Sequence, residues 1–381
     1  MKKYMILAAA AAMTLASCAK FETSYFNEEL ENAPIQFSNY APRAISKAAA
    51  ANYAASTTLI ADAQFKVWGW SVANGSSFNG SNGTNFMSWY TVTYKSGGDS
   101  NGESNAYPDG YRYWPSGDTP DKLSFYAYYP SNGSSVTATP SGLGAFSFTA
   151  AATAAAQEDF MIADMVKDQT YSATNSSTAG TVHLTFRHML TRVQFKFKTT
   201  TDVIANNTTV TLTDVKLYNA KTTGTLTTAY NGTNFTTTWS NQGTPSATAY
   251  DVFVNGTDIN NLPLTATAAP ATNNAADIFL MVPQDMVTSG GTAPQYLVVN
   301  WDVTTAGVTT HNSKTLYFYN DLQDNSGNPF DSDGDTSGVQ PLNWAKNASI
   351  TYTLTIGPKP ILFTAAVESW DAETNGYFNV Q

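Results

Sequence analysis

The sequence predicts an all-β fold of antiparallel β-sandwiches, and three observations carry that prediction. The first is composition: charged residues are only 13% of the chain and aromatics an equal 13%. That balance suits strands, which favour aromatic and β-branched side chains, and the many Gly, Asn, Asp and Ser suit turns. The second is period. Val193, Phe195 and Phe197 alternate with Gln194, Lys196 and Lys198, and Tyr352, Leu354 and Ile356 alternate with Thr351, Thr353 and Thr355. Such a pattern marks a half-buried strand with one apolar and one polar face. The third is punctuation: Asn74-Gly75, Asn82-Gly83, Asp109-Gly110, Asn132-Gly133, Asn231-Gly232 and Asn255-Gly256 separate the candidate strands at short intervals, as in a sandwich of many short strands.

In chain order the first element is not a strand. Lys2 and Lys3 precede an apolar run from Tyr4 to Ala16, which closes on small residues before Cys18. This is a secretory signal, shorter than the roughly 20 residues that span a bilayer as a helix. The alanine-rich stretches 48–63 and 149–156 are too short and too polar to span one. Cys18 is the only cysteine in 381 residues, so an exported form has no internal disulfide. The run Leu15-Ala16-Ser17-Cys18 resembles the lipobox of bacterial lipoproteins, which implies acylation of Cys18 and a lipid anchor in the outer membrane. Each buried acyl CH₂ contributes about 0.8 kcal/mol to such an anchor. The alternative is an ordinary signal peptide with an incidental cysteine.

An isolated strand follows. In the stretch PIQFSNYAPRA, positions 34–44, Ile35 and Phe37 alternate with Gln36 and Ser38, and the run passes through Pro42 to Arg43, the first basic residue since Lys20. Further candidate strands are 64–71, 89–95, 123–129, 160–163, 181–186, 210–218, 249–254, 278–282, 296–303, 314–319 and 360–367. The chain beyond residue 43 is long enough for two domains of about 100–200 residues. Their boundary is placed near Arg187, where one alternating run ends at Phe186 and the next begins at Leu190, giving domains 44–187 and 188–381.

Charge and chemistry exclude several functions. The net charge is −10, and the four basic and four acidic residues within 1–43 cancel, so the rest of the chain carries all of it. A nucleic-acid partner needs a basic patch to neutralise phosphates, and a chain of this acidic balance is not expected to bind one. Only three histidines occur, His183, His188 and His311, and neither a G-x-S-x-G elbow nor a second cysteine supplies a nucleophile. His183 is expected to point outward, and His188 lies at the suspected junction. Glu158 and Asp159 are adjacent, which on a strand sends them to opposite faces. The reading is therefore not an enzyme, with no cofactor.

Asp331, Asp333 and Asp335 offer oxygen ligands at the spacing of a Ca²⁺ loop. Thr336 and Leu342 stand where an EF-hand needs Gly and Glu, so a solvated acidic loop is the better reading and no metal is assigned. Trp68, Trp70, Trp89, Tyr90, Tyr94, Tyr111, Tyr113, Trp114, Tyr126, Tyr128 and Tyr129 crowd the first domain. They are read mainly as core; exposed together, they would make a platform for a glycan or host ligand.

Several stretches taken together resemble the fimbrillin family, the lipoprotein pilins that build type V pili of Bacteroides-type bacteria. They are Cys18 in its lipobox, Ile35-Gln-Phe-Ser followed by Arg43-Ala44, the segment from Leu123 to Pro130, the run from Leu184 to Phe195, and the ending from Tyr352 through Trp370. The resemblance implies two transthyretin-like antiparallel β-sandwich domains after a lipoprotein signal peptide (1–17). It implies that 18–43 is a propeptide holding a removable first strand, cut away by an arginine- or lysine-specific protease at Arg43 before Ala44, with Lys47 as the fallback. Loss of Ile35 and Phe37 would open a groove for a strand from another pilin subunit, giving a surface fimbria for adhesion. The candidate donor is the tail 371–381, in which Phe378 and Val380 alternate with Tyr377, Asn379 and Gln381. The competing reading is a monomeric surface lipoprotein, or a tip adhesin, that binds a glycan or host ligand.

Overall fold

The structure is a computed structural model that describes residues 33–41, 58–95, 105–107, 109–131, 135–138, 142–171, 180–240, 242–254, 257–269, 277–286, 292–322, 343–357 and 361–370. The described chain is almost entirely β. Its first half holds β1 (Gln36–Tyr40), β2 (Gln64–Val72), β3 (Thr84–Tyr94), β4 (Asn105–Ala106), β5 (Lys122–Tyr129), β6 (Val136–Ala138), β7 (Ala145–Thr149), β8 (Met161–Ala163), β9 (Val166–Gln169) and β10 (Thr181–His188). After it come β11 (Thr191–Thr199), β12 (Thr208–Tyr218), β13 (Thr223–Tyr230), β14 (Phe235–Ser240), β15 (Tyr250–Asp251), β16 (Phe253–Val254), β17 (Thr257–Asp258) and β18 (Leu262–Pro263). The last are β19 (Ile278–Met281), β20 (Gln284–Asp285), β21 (Tyr296–Thr305), β22 (Val308–Tyr317), β23 (Asn343–Trp344), β24 (Ala348–Ile356) and β25 (Leu362–Ser369). Among the described residues no helix is long and apolar enough to cross a membrane.

One eight-stranded sheet runs β1-β10-β8-β5-β2-β3-β4, with β9 attached to β5. In a flat sheet β1 and β5 would stand three strand spacings apart, about 14 Å. Instead the Phe37 ring on β1 lies 5.6 Å from Phe125 on β5 and 6.4 Å from Phe65 on β2, edge to face. The sheet therefore curls until its β1 edge closes over its own middle. The two faces of its central strands bury different cores. Phe65, Val67, Leu123, Phe125 and Ala127 point toward β1 and β10; Trp68, Trp70, Tyr126 and Tyr128 point to the other side.

That other side meets the four-stranded sheet β14-β13-β7-β6. β7 pairs with β13 from Thr149↔Thr223 to Ala145↔Thr227, so this sheet draws strands from both sides of position 187. The rest of the second half packs β19-β11-β24-β25 against β15-β12-β21-β22 around Phe195, Phe197, Leu217, Leu297, Tyr352 and Leu354.

Two pairings depart from the antiparallel expectation: β1 with β10, and β11 with β24, are parallel. Parallel neighbours need long crossovers rather than tight turns, and these pairs are far apart in sequence. The strand expected over 314–319 is instead β22, which starts at Val308 and stops at Tyr317, followed by a short helix, Phe318–Asp321. Its first half reads VTTHNS and is exposed at nearly every position, so no alternation announces it.

Candidate functional site

The candidate site is the first strand and the slot that holds it. β1 forms because every second residue turns inward to a core, and all of these but Asn39 are apolar or small: Ile35 is 1% exposed, Phe37 0% and Ala41 0%. It runs parallel to β10 in the register Gln36↔Thr181 to Tyr40↔Thr185. Outward on the same strands, Ser38 Oγ and His183 Nδ1 are hydrogen bonded. Among the described residues β1 pairs with no neighbour in sequence. The next strand, β2, begins at Gln64 and is bonded to β3 and β5 instead.

The start of β1 is gripped from both edges. On one side the Gln36 N–H donates to Gly180 O at 3.0 Å. On the other, Ile35 N–H donates to Arg112 O at 2.8 Å and Trp114 N–H donates to Ala33 O at 3.0 Å. The Tyr107 hydroxyl donates to Ile35 O at 2.8 Å. Gly180 is required here: its φ is +72°, and a Cβ would stand 3.1 Å from Trp114 Nε1 and 3.2 Å from Pro34 O. Trp114 Nε1 in turn donates to Gly180 O at 3.0 Å, which ties the outer wall of the slot to the inner one.

Beyond Phe37 the grip changes character. Asn39 is 8% exposed, and its Oδ1 accepts the Leu59 N–H at 2.7 Å. The Nδ2 of Asn39 and the Nε2 of Gln36 are buried with no hydrogen-bond partner among the described residues. Leaving a buried donor unpaired costs about 1–3 kcal/mol, so the strand sits in its slot with a deficit. Against that stands the burial of Ile35 and Phe37, at about 1.5–3 kcal/mol each.

Ile35 and Phe37 are thus brought together in one core-filling strand. Cys18, Arg43, Ala44, Lys47, Asp331, Asp333, Asp335, Phe378 and Val380 lie outside the described residues. Sequence reasoning missed Asn39 and Leu59, because nothing in the local pattern singles out an asparagine on the apolar face of a strand as a partner for a backbone donor 20 residues on.

The remaining candidates are structural. His188, the last residue of β10, is fully buried, with Nδ1 2.9 Å from Asp159 Oδ2 and its ring stacked at 3.7 Å on Trp370. Glu158 and Asp159 sit just ahead of β8 rather than on a strand; Asp159 is 1% exposed and Glu158 is half-buried. His183 is exposed, as expected from its outward position on β10. His311 is exposed too, 2.6 Å from Asp302. Among the described residues no group of three His, Cys, Asp or Glu could hold a metal ion.

The aromatic set forms no exposed platform among these residues. Trp68, Trp70, Trp114, Tyr126, Tyr128 and Tyr129 are buried, since the sheet is covered on both faces. Burial pushes the phenols of Tyr126 and Tyr129 well above the usual tyrosine range, so both stay protonated. Tyr126 uses its proton to bond Gly142 O. Only Tyr111 and Tyr113, 40% and 46% exposed, face water on a large scale.

Residues 48–370 match the family described as fimbrillin-like. The chain belongs to that family. Fimbrillin-like proteins are fimbrial and adhesion proteins of the cell surface, and their class implies association with other subunits. Among solved structures, a fimbrial protein from Bacteroides vulgatus ATCC 8482 is similar, with a TM-score of 0.59 and 17% identity over 88% of this chain and 99% of that one. That likeness shows the fold. A proposed cell-adhesion protein from Bacteroides uniformis ATCC 8492 is similar at a TM-score of 0.44 and 17% identity, covering 89% of this chain and 98% of that one. The C-terminally truncated tip fimbrial protein Mfa3 from Porphyromonas gingivalis follows at 0.37 and 12%, covering 81% and 95%. These two scores are too low to carry an argument. No curated protein matches the chain.

Proposed function

We propose that this fimbrillin-like chain is the precursor of a structural fimbrial subunit, lipidated on Cys18, cut at Arg43 or failing that at Lys47, and assembled by exchange of its first strand. One observation carries the reading: β1 completes a core yet, among the described residues, pairs only with β10, a strand distant in sequence. β10, 145 residues further along the chain, is joined to β1 only through the segment that follows it. Cleavage between residues 41 and 58 converts a tethered strand into a separate peptide. The tether supplies an effective concentration on the order of millimolar, and its loss lets the strand leave at the far lower concentrations of subunits on a cell. The Gln36 Nε2 and Asn39 Nδ2 groups, which have no hydrogen-bond partner among the described residues, weaken the strand's hold further.

What remains is an open β10 edge from Thr181 to Thr185 and an unfilled apolar pocket. Unpaired edges are templates for another chain, and an added strand supplies both the ladder and alternate side chains for the pockets. The tail 371–381 of a neighbouring subunit is the proposed donor. The test is an Arg43→Ala, Lys47→Ala double variant expressed on cells. It should stay monomeric, while the parent forms ladders that resist SDS without heating. Polymers of normal length from the double variant would overturn the reading.

The second reading, a monomeric lipoprotein or a tip adhesin, is favoured by Tyr111 and Tyr113 alone. With Tyr107 they form a strip of rings 5.2 and 6.5 Å apart on the outer wall of the slot. Saturable glycan binding by the uncut precursor, lost in a Tyr111→Ala, Tyr113→Ala variant, would support it.

A further inference from the structure

The slot recognises more than apolar side chains. It presents, in order along β10, an aliphatic pocket filled by Ile35, an aromatic one filled by Phe37, a polar position occupied by Asn39, and a small one filled by Ala41. The polar position is set by the Leu59 N–H, a buried donor whose acceptor at 2.7 Å is the Asn39 side chain. Any strand that replaces β1 must bring an acceptor to the same place or leave that donor unpaired.

The end of the chain carries a matching pair. The first strand reads Phe37-Ser38-Asn39, and the tail reads Tyr377-Phe378-Asn379. The tail alternates, so it can enter with either of two faces inward. With Phe378 and Val380 inward, the Leu59 N–H loses its acceptor. With Tyr377 and Asn379 inward, an aromatic ring and an amide oxygen fall where Phe37 and Asn39 stood.

Resting on the strand-exchange reading above, we infer that the Leu59 N–H is the specificity element of the slot and selects the donor register in which Tyr377 and Asn379 face inward. The order of the pair fixes direction as well: aromatic first, then Asn, requires a donor parallel to β10, as β1 is. The chain's own tail starts from Trp370, stacked on His188 at the far end of β10, so it would enter beside Thr185 and run antiparallel. That inverts the order of the pair relative to the pockets. The occupant is therefore the tail of a second copy. The pockets of Ile35 and Ala41 would receive Asn375 and Gln381, so the tail binds more weakly than the strand it replaces.

The experiment uses full-length precursor cut with an arginine- or lysine-specific protease, and labelled synthetic peptides followed by fluorescence anisotropy. A peptide of residues 33–41 should re-enter the slot, and its Asn39→Leu form should bind more weakly by up to about tenfold, loss of the Leu59 acceptor being partly offset by removal of the unpaired Nδ2. A peptide of residues 371–381 should bind less tightly than 33–41. It should lose a similar factor with Asn379→Leu or Tyr377→Ser, and little with Phe378→Ser. The opposite pattern, with Phe378→Ser damaging and Asn379→Leu harmless, overturns the inference. So does a tail peptide that fails to bind a slot which the 33–41 peptide re-enters, and in that case the removable strand itself still stands. A cut protein that admits neither peptide overturns the strand-exchange reading instead.

Discussion

Replacing Phe37 by alanine tests whether departure of the first strand is a step in assembly. The ring is fully buried and meets Phe125 at 5.6 Å and Phe65 at 6.4 Å. Truncating a buried phenylalanine to alanine costs about 3–5 kcal/mol, or roughly two to three and a half powers of ten in the docking equilibrium. Because β1 pairs with no sequence neighbour among the described residues, the loss falls on the contact between strand and slot. Before cleavage the tether should keep β1 in place, and the precursor should fold with a lowered unfolding midpoint. After cleavage the strand should leave faster. A time course of unheated SDS gels, started by adding protease, should show chain growth about five- to fifteen-fold faster than the parent, if a third or so of the lost energy is expressed in the rate-limiting state. Hydrogen exchange at the amides of 181–185 gives an independent reading of strand loss. If midpoint and exchange change as expected while chain growth keeps its parental rate, departure of β1 does not limit assembly and the reasoning fails.

Three further outcomes are expected. A Ser38→Cys, His183→Cys pair should form a disulfide, since the two residues are partners across the parallel ladder and their side chains already touch. The locked precursor should be cut by protease yet remain monomeric until a reductant is added; polymerisation without reductant would count against strand exchange. Removing residues 371–381 should leave the unfolding midpoint unchanged and abolish growth of chains composed only of the shortened protein, and continued growth would exclude the tail as donor. Trp370→Ala should lower stability by about 3–5 kcal/mol, because that indole is fully buried and stacked on His188. A denaturant midpoint near the parent's would show that the junction repacks.

Much of this was legible in the sequence because strands with one buried face announce themselves. β1, β11 and β24 alternate in sequence; β5 starts within a residue of its expected bounds although both its faces are buried, and β24 starts three residues ahead of the run expected from Thr351. What local pattern cannot reveal is partnership. That Phe37 meets Phe125, or that β7 pairs with β13, depends on how far the first sheet curls, and no short window of residues encodes it. Thr-rich strands such as β13 and β14 were equally silent: TGTLTTAY and FTTTWS have too few apolar residues to show a face. The tryptophans were recognised as mainly core, but the reason, a sheet covered on both sides, is a property of the assembled molecule. Asn39 is the clearest omission. In sequence it is one polar residue among several, and only the position of Leu59 gives it a task.

On the proposed end-to-end assembly, the shared sheet β14-β13-β7-β6 has a mechanical consequence. Strands of the two halves lie side by side over five paired positions. A pull along their length must break those bonds together rather than one after another. Under tension the two halves of each molecule should hold together as one unit, and the joint between neighbours should yield first.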